Sequence, residues 1–169
     1  MRATRTGAGW ALRAATADDV ETIAELRAVV MRPDLERLGR YDEVRVRQRF
    51  RDSFSGAHTS VITVEGDTAD GLPDDAADGV GDDVAGCVTL RPAPGGGLLL
   101  EHFYLAPALH GRGLGSAVLA ELLRRADERG DTVRLTVLQG SPARRLYERW
   151  GFVREAEDPV DVLMVRTPR

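Results

Sequence analysis

The stretch LLLEHFYLAPALHGRGLGSAVLAELL, Leu98 to Leu123, decides the fold. Its first part, Leu98 to Leu105, is apolar enough for a central strand buried on both faces. The chain then enters a turn with Gly111, Gly113 and Gly115 and passes at once into a helix, Leu114 to Arg129. Leu114, Val118, Leu122 and Ala126 share one face of that helix, and Gly130 supplies its stop. Glycines let a backbone turn tightly and approach a ligand with no Cβ in the way. A helix start offers unpaired N–H groups and the positive end of the dipole. Together these features make a site for phosphate, best suited to a pyrophosphate, with Arg112 at its rim.

Working outward, Trp10 to Arg13 reads as a strand, and Thr16-x-x-Asp19 is a capping box that opens a helix to about Met31. Pro33 is expected to end it. A second helix, about Asp42 to Phe54, carries Val46, Phe50 and Phe54 at helical spacing. Strands are expected at His58 to Val64, Val84 to Arg91 and Thr132 to Leu138. Ser141 caps a short helix with Pro142 at its first position, Gly151 ends it, and strands near Phe152–Arg154 and Val160–Val165 follow. The expectation is a single α/β domain over residues 1–169, a mixed sheet of about seven strands with four helices. Residues 66–83, GDTADGLPDDAADGVGDD, are too poor in large apolar groups to offset the entropy of ordering and read as a flexible acidic loop. Asp74, Asp78 and Gly79 fall at calcium-loop spacing, but Ala76 and Ala85 occupy ligand positions, so no metal is expected.

Composition excludes several chemistries. All 23 basic residues are Arg, and the chain has neither Lys nor Asn. No Schiff-base lysine, no phosphate-clamping Walker lysine and no N-x-S/T acceptor exists. The single Cys87 allows neither an intrachain disulfide nor a cysteine-based zinc cluster. No apolar run reaches the roughly 18 residues of a membrane span, and Met1 to Gly9 lack the apolar core of a signal peptide, so a cytoplasmic protein is expected. The net charge of −4 is concentrated in the acidic loop, where seven Asp stand without a base; the remainder holds 23 bases against 20 acids. That balance gives no nucleic-acid stripe and no membrane patch. Neither Gly111-x-Gly113 nor Gly113-x-Gly115 has the third small residue of a dinucleotide fingerprint, because Ser116 and Val118 occupy that position.

The spacing His110-x-x-Gly113-x-Gly115 resembles the Q/R-x-x-G-x-G/A pyrophosphate loop of the GNAT acetyltransferase superfamily, and ARRLYERWGF, Ala143 to Phe152, resembles its A-x-x-L-Y-x-x-x-G-F element. The two are separated by one helix and one strand, as in that family, and the likeness covers about residues 84–155. The resemblance implies a GNAT-like sheet splayed between its fourth and fifth strands, Leu98 to Leu105 and Thr132 to Leu138. It implies acetyl-CoA as co-substrate, with Tyr104 and Leu105 meeting pantetheine through backbone atoms. The N–H groups of Arg112, Gly113, Leu114, Gly115 and Ser116, after His110 and Gly111, would cradle the pyrophosphate. An N–H at Leu105 would polarise the thioester carbonyl. His110 departs from the family's Gln or Arg, and where the family often has an Asn, Gly140 or Ser141 stands, so a cofactor contact is either lost or supplied by the Ser141 hydroxyl. Dimers are common in the superfamily, which leaves a homodimer open.

The implied reaction is direct attack of a primary amine of a small molecule or peptide on a thioester. An amine at neutral pH needs a proton acceptor, and the departing thiolate benefits from a donor. Glu101, an acid in an apolar strand, is the candidate base, acting through a water; the competing reading pairs it with an arginine. His102, on the opposite face by strand alternation, is the weaker rival. Tyr147 stands at the family's tyrosine position and is the candidate donor, although Ala143, Leu146, Tyr147 and Trp150 also form a helical core stripe. A lone Cys87 on a strand reads as a buried apolar residue rather than a covalent nucleophile. Between Met31 and Arg51 stand seven Arg and four acids, a composition suited either to an acceptor with a carboxylate or phosphate or to a solvated, ion-paired helix face. Two rival readings are a non-catalytic acyl-CoA-binding sensor on the same fold and a protein binding NAD or ATP.

Overall fold

The computed structural model describes residues 4–6, 9–65 and 84–169; the acidic loop and its calcium-spaced residues lie outside them. Among the described residues there are eight strands: β1 (Thr4–Thr6), β2 (Trp10–Ala14), β3 (Thr59–Val64), β4 (Gly86–Pro92), β5 (Leu98–Leu105), β6 (Val133–Leu138), β7 (Val153–Glu157) and β8 (Asp161–Arg166). Four α-helices accompany them: α1 (Val20–Arg37), α2 (Glu43–Ser53), α3 (Leu114–Arg129) and α4 (Ala143–Arg149). Strand neighbours follow the order β1-β2-β3-β4-β5-β6-β8-β7. The strand beyond the expected seven is the three-residue β1, antiparallel to β2.

The chain divides into two compact units. The first comprises residues 1–32, 41–89 and 102–110. Here β2, β3 and the start of β4 are antiparallel neighbours, and Ile23, Ala24, Leu26, Phe50, Val61, Cys87 and Tyr104 form the core. Thr16 is the N-cap of the first helical segment, a 3-10 turn over Ala17–Asp19 that continues into α1, and Asp19 is the carboxylate of its capping box. Asp19 accepts the Thr16 N–H at 2.8 Å and both ends of the Arg13 guanidinium at 2.8 and 2.9 Å. Asp42 caps α2 by accepting the N–H groups of Val44 and Arg45. Gly86 is required by close approach: a Cβ there would sit 2.3 Å from the Tyr104 carbonyl oxygen of β5.

The second unit comprises residues 33–40, 90–101 and 111–169. Its strands β6 and β8 are antiparallel along their full lengths, and their inward residues Val133, Leu135, Val162 and Met164 are buried, as are Val118 and Leu119 of α3. Arg166, 5% exposed, donates to both carboxylate oxygens of Asp127 at 2.7 and 2.9 Å and to the Trp150 carbonyl at 2.8 Å.

Three expectations need correction. Pro33 does not end α1, which continues to Arg37. The missing N–H of Pro33 releases the carbonyl of Val29, which is 56% exposed, so water can take that place. Arg37 then fastens the last turn by donating to Asp34 at 2.6 Å and to the Gln139 carbonyl at 2.5 Å. Second, β5 is central in order but not buried on both faces: of its eight residues only Leu100 and Tyr104 are buried. Its parallel ladder to β6 runs through Leu98↔Val133, Leu99↔Arg134 and Leu100↔Leu135 and stops, which leaves the rest of the strand without that neighbour. This is the splay between the fourth and fifth expected strands, here β5 and β6. Third, α4 begins at Ala143, one residue later than Pro142 at the first position would give.

Candidate active site

The segment from β5 to α3 carries most of the predicted residues. His110 follows a 3-10 turn at Pro107–Leu109, and its Nε2–H donates to the Leu105 carbonyl at 2.8 Å. That bond gives His110 a local role, distinct from the side-chain contact expected of a Gln or Arg. Gly111 and Gly113 follow with φ of +74° and +80°. A Cβ at Gly113 would meet nothing within 4 Å, so the left-handed backbone, not space, requires glycine there. Gly113 is the N-cap of α3, no side chain caps the helix, and its first turn holds no acid. The first intrahelical bond runs from the Ala117 N–H to the Gly113 carbonyl at 3.0 Å. The N–H groups of Leu114, Gly115 and Ser116 therefore lack intrahelical acceptors at the positive end of a sixteen-residue helix. Arg112 and Gly113 are exposed. Such unpaired donors at a helix start suit an anionic ligand.

The candidate base Glu101 is gripped by Arg91 of β4, whose Nε and second guanidinium nitrogen donate at 2.8 and 3.1 Å. The carboxylate side chain stays 30% exposed, so water reaches it. The strand-end ion pair foreseen as the competing reading thus exists, and Glu101 is at once paired and accessible. Tyr147 is 8% exposed, with its ring edge-on to Phe152 at 5.8 Å. The core stripe and the family tyrosine are therefore one side chain. Pro142, not Ser141, is the N-cap of α4; the Ser141 hydroxyl oxygen, one residue earlier, accepts the Ala143 N–H at 3.3 Å and keeps its own proton to donate. Gly140, with φ +75°, lies against the Arg37 guanidinium, 3.0 Å from where a Cβ would be. A groove of about 390 Å³ runs beside α3 past Asp127, Trp150 and Arg166, and no predicted site residue lines it.

Cys87 is fully buried and donates its S–H to the His102 carbonyl at 3.1 Å. Burial pushes its thiol up to about 12, so it stays protonated and unreactive at neutral pH.

The sequence reading missed a polar chain around His102. Strand alternation does not hold there, because His102 has φ +47°, a left-handed conformation rare outside glycine. The Arg27 Nε–H donates to the Tyr104 hydroxyl at 3.0 Å, and another Arg27 nitrogen donates to the Val46 carbonyl at 2.6 Å. The Tyr104 hydroxyl lies 3.1 Å from His102 Nδ1, and His102 Nε2 lies 2.8 Å from Ser53 Oγ. Ser53 donates to the Arg49 carbonyl at 2.8 Å. One direction satisfies every member: Arg27 donates to Tyr104, Tyr104 to His102 Nδ1, and His102 Nε2–H to Ser53. Both ring nitrogens of His102 are engaged in this chain, Nδ1 by Tyr104 and Nε2 by Ser53. These partners lie far apart in sequence, so no local pattern marks them.

Residues 41–152 match the model of the acetyltransferase (GNAT) family. The chain belongs to the GNAT acetyltransferase family. Its fold agrees with that of solved structures. The PaiA N-acetyltransferase of Thermoplasma acidophilum, solved with coenzyme A, has a TM-score of 0.65 at 20% identity over 94% of this chain and 98% of that one. Ard1 of Thermoplasma volcanium gives 0.63 at 18% identity over 95% and 99%. The Escherichia coli ribosomal-protein-S18-alanine N-acetyltransferase gives 0.62 at 16% over 94% and 93%. No curated protein matches the sequence. GNAT membership makes this chain an acyl-CoA-dependent acyltransferase. Among the described residues no helix is long and apolar enough to cross a membrane.

Proposed function

We propose that the protein transfers the acetyl group of acetyl-CoA directly to a primary amine of a small molecule or peptide. The observation that carries this reading is the bare, acid-free start of α3 behind two left-handed glycines, in a chain that matches the GNAT family. The N–H groups from Arg112 to Ser116 hold the pyrophosphate, with His110 and Gly111 shaping the turn. Tyr104 and Leu105 offer backbone groups to the pantetheine amides beyond the point where the β6 ladder stops, and the Ser141 hydroxyl adds a contact.

Glu101 accepts the proton of the incoming amine through a water, and the free amine forms the new C–N bond. The Leu105 N–H polarises the thioester carbonyl as charge develops on its oxygen. As the C–S bond breaks, Tyr147 gives its proton to the departing sulfur and regains one, through water, from the nitrogen that becomes the amide. Holding the two substrates together supplies much of the rate.

The test combines acetyl-CoA binding, measured by calorimetry, with CoA release across small amines, polyamines, aminoglycosides and peptide N-termini. Release with at least one amine, and its loss in Tyr147→Phe with binding retained, supports the reading. Binding with no release from any amine overturns it in favour of an acyl-CoA sensor. Binding of NAD or ATP in place of acetyl-CoA overturns it altogether.

A further inference from the structure

The two flanks of α2 are chemically unlike. One faces α1 and is zipped to it: Arg47 donates to both oxygens of Glu25 at 2.6 and 3.1 Å, and Arg51 to both oxygens of Glu21 at 2.8 Å. Each guanidinium holds its carboxyl below the usual glutamate range. Val46 and Phe50 point into the core between the flanks. The other flank carries Arg45, Arg49 and Ser53, successive residues four apart and so stacked along one side of the helix. Ser53 meets His102 of β5, and Phe50 packs edge-on to the same ring at 5.1 Å, so this flank turns toward β5.

Arg45 and Arg49 are exposed, and among the described residues neither has an acidic partner. The other acids of this helix are committed elsewhere or misplaced: Asp42 caps the N-terminus, Glu43 lies in the first turn, and Asp52 accepts from Gln48 at 2.7 Å. Arg37 is paired with Asp34, and Arg32 lies over the Tyr41 ring at 4.9 Å. Two like charges four residues apart on a helix repel. Elsewhere α2 neutralises its arginines in pairs, yet here it leaves two bare, one and two turns before the serine that touches His102. His102 is next in the chain to Glu101.

We infer that the acceptor amine carries an anionic group, a carboxylate or a phosphate, and that Arg45 and Arg49 bind it. The guanidinium forks suit either anion through paired hydrogen bonds. This deepens the transferase reading and rests on it.

The test uses the full chain with saturating acetyl-CoA and three matched sets of primary amines: carboxylate-bearing, phosphate-bearing, and without an anion. We expect one anionic set to exceed the neutral set in kcat/KM by about tenfold or more, and the two anionic arms to tell the ligands apart. Arg45→Gln and Arg49→Gln should each raise the acceptor KM about tenfold, more than they lower kcat, with acetyl-CoA KM unmoved. Arg51→Gln, on the flank facing α1, should leave the acceptor KM as it is. Both substituted sites are exposed, so folding is not at stake. Equal or better turnover of neutral amines overturns the inference, as does an unmoved acceptor KM in both variants. If no amine in any set releases CoA, the transferase reading itself falls.

Discussion

The donors at the start of α3 and the donors around Tyr104 stand in opposite conditions. At α3 the N–H groups of three successive residues have no acceptor within the helix and no side chain capping them. Around Tyr104 the polar groups are engaged with one another: the Arg27 guanidinium with a hydroxyl and a carbonyl, the hydroxyl with an imidazole, the imidazole with a serine. No described buried side-chain nitrogen or oxygen lacks a partner. Unspent donors at a surface leave binding energy for a ligand, whereas spent donors in a core fix geometry. Arg166 and Asp127 belong with the second kind.

The contrast can be broken most forcefully at that last pair. Asp127→Ala strands the buried Arg166 guanidinium and should lower unfolding stability by about 3 kcal/mol, read from a urea transition. The same pair sets a pH dependence. The hydrogen bonds from Arg166 hold the Asp127 carboxyl below its ordinary 3.8. Its stabilisation is therefore complete above about pH 4 and lost as pH falls through the depressed folded value, a loss that Asp127→Asn should abolish in an acid titration. Next in size, Tyr104→Phe removes the acceptor of Arg27 Nε and the donor to His102, at about 1–3 kcal/mol. Its effect should appear in stability, with acetyl-CoA affinity nearly unchanged, because only backbone atoms of residue 104 are assigned to pantetheine. Gly113→Ala should do the reverse. A Cβ has room, so the strain is about 1 kcal/mol, but the helix start shifts and acetyl-CoA affinity should fall about tenfold by calorimetry. The smallest effect belongs to Cys87. Its thiol should resist a thiol-reactive dye at pH 8 until the protein unfolds, and Cys87→Ala should keep its turnover number.

What the sequence reveals follows from how local each feature is. The bounds of β5 and α3 coincide with the expected Leu98–Leu105 and Leu114–Arg129, because a switch from apolar run to glycines to helical spacing is written in neighbouring residues. Pro33 misleads because its penalty falls on a carbonyl of an exposed helix face, where water cancels it. The polar chain from Arg27 to Ser53 joins residues 77 and 49 positions apart, so nothing nearby announces it. The pairing of Glu101 with Arg91 spans ten positions across two strands, and the sequence offered many arginines as partners without singling one out.

The ion pairs described between α1 and α2, and at Glu101, are all guanidinium with carboxylate. With lysine in those places, any momentary loss of a proton would expose a nucleophilic amine to whatever thioester the protein handles. Arginine stays protonated at every ambient pH and does not attack. The scaffold's side-chain cations therefore stay chemically silent toward an acyl donor, and no acylation of a bridging side chain can switch off the bonds that hold its helices.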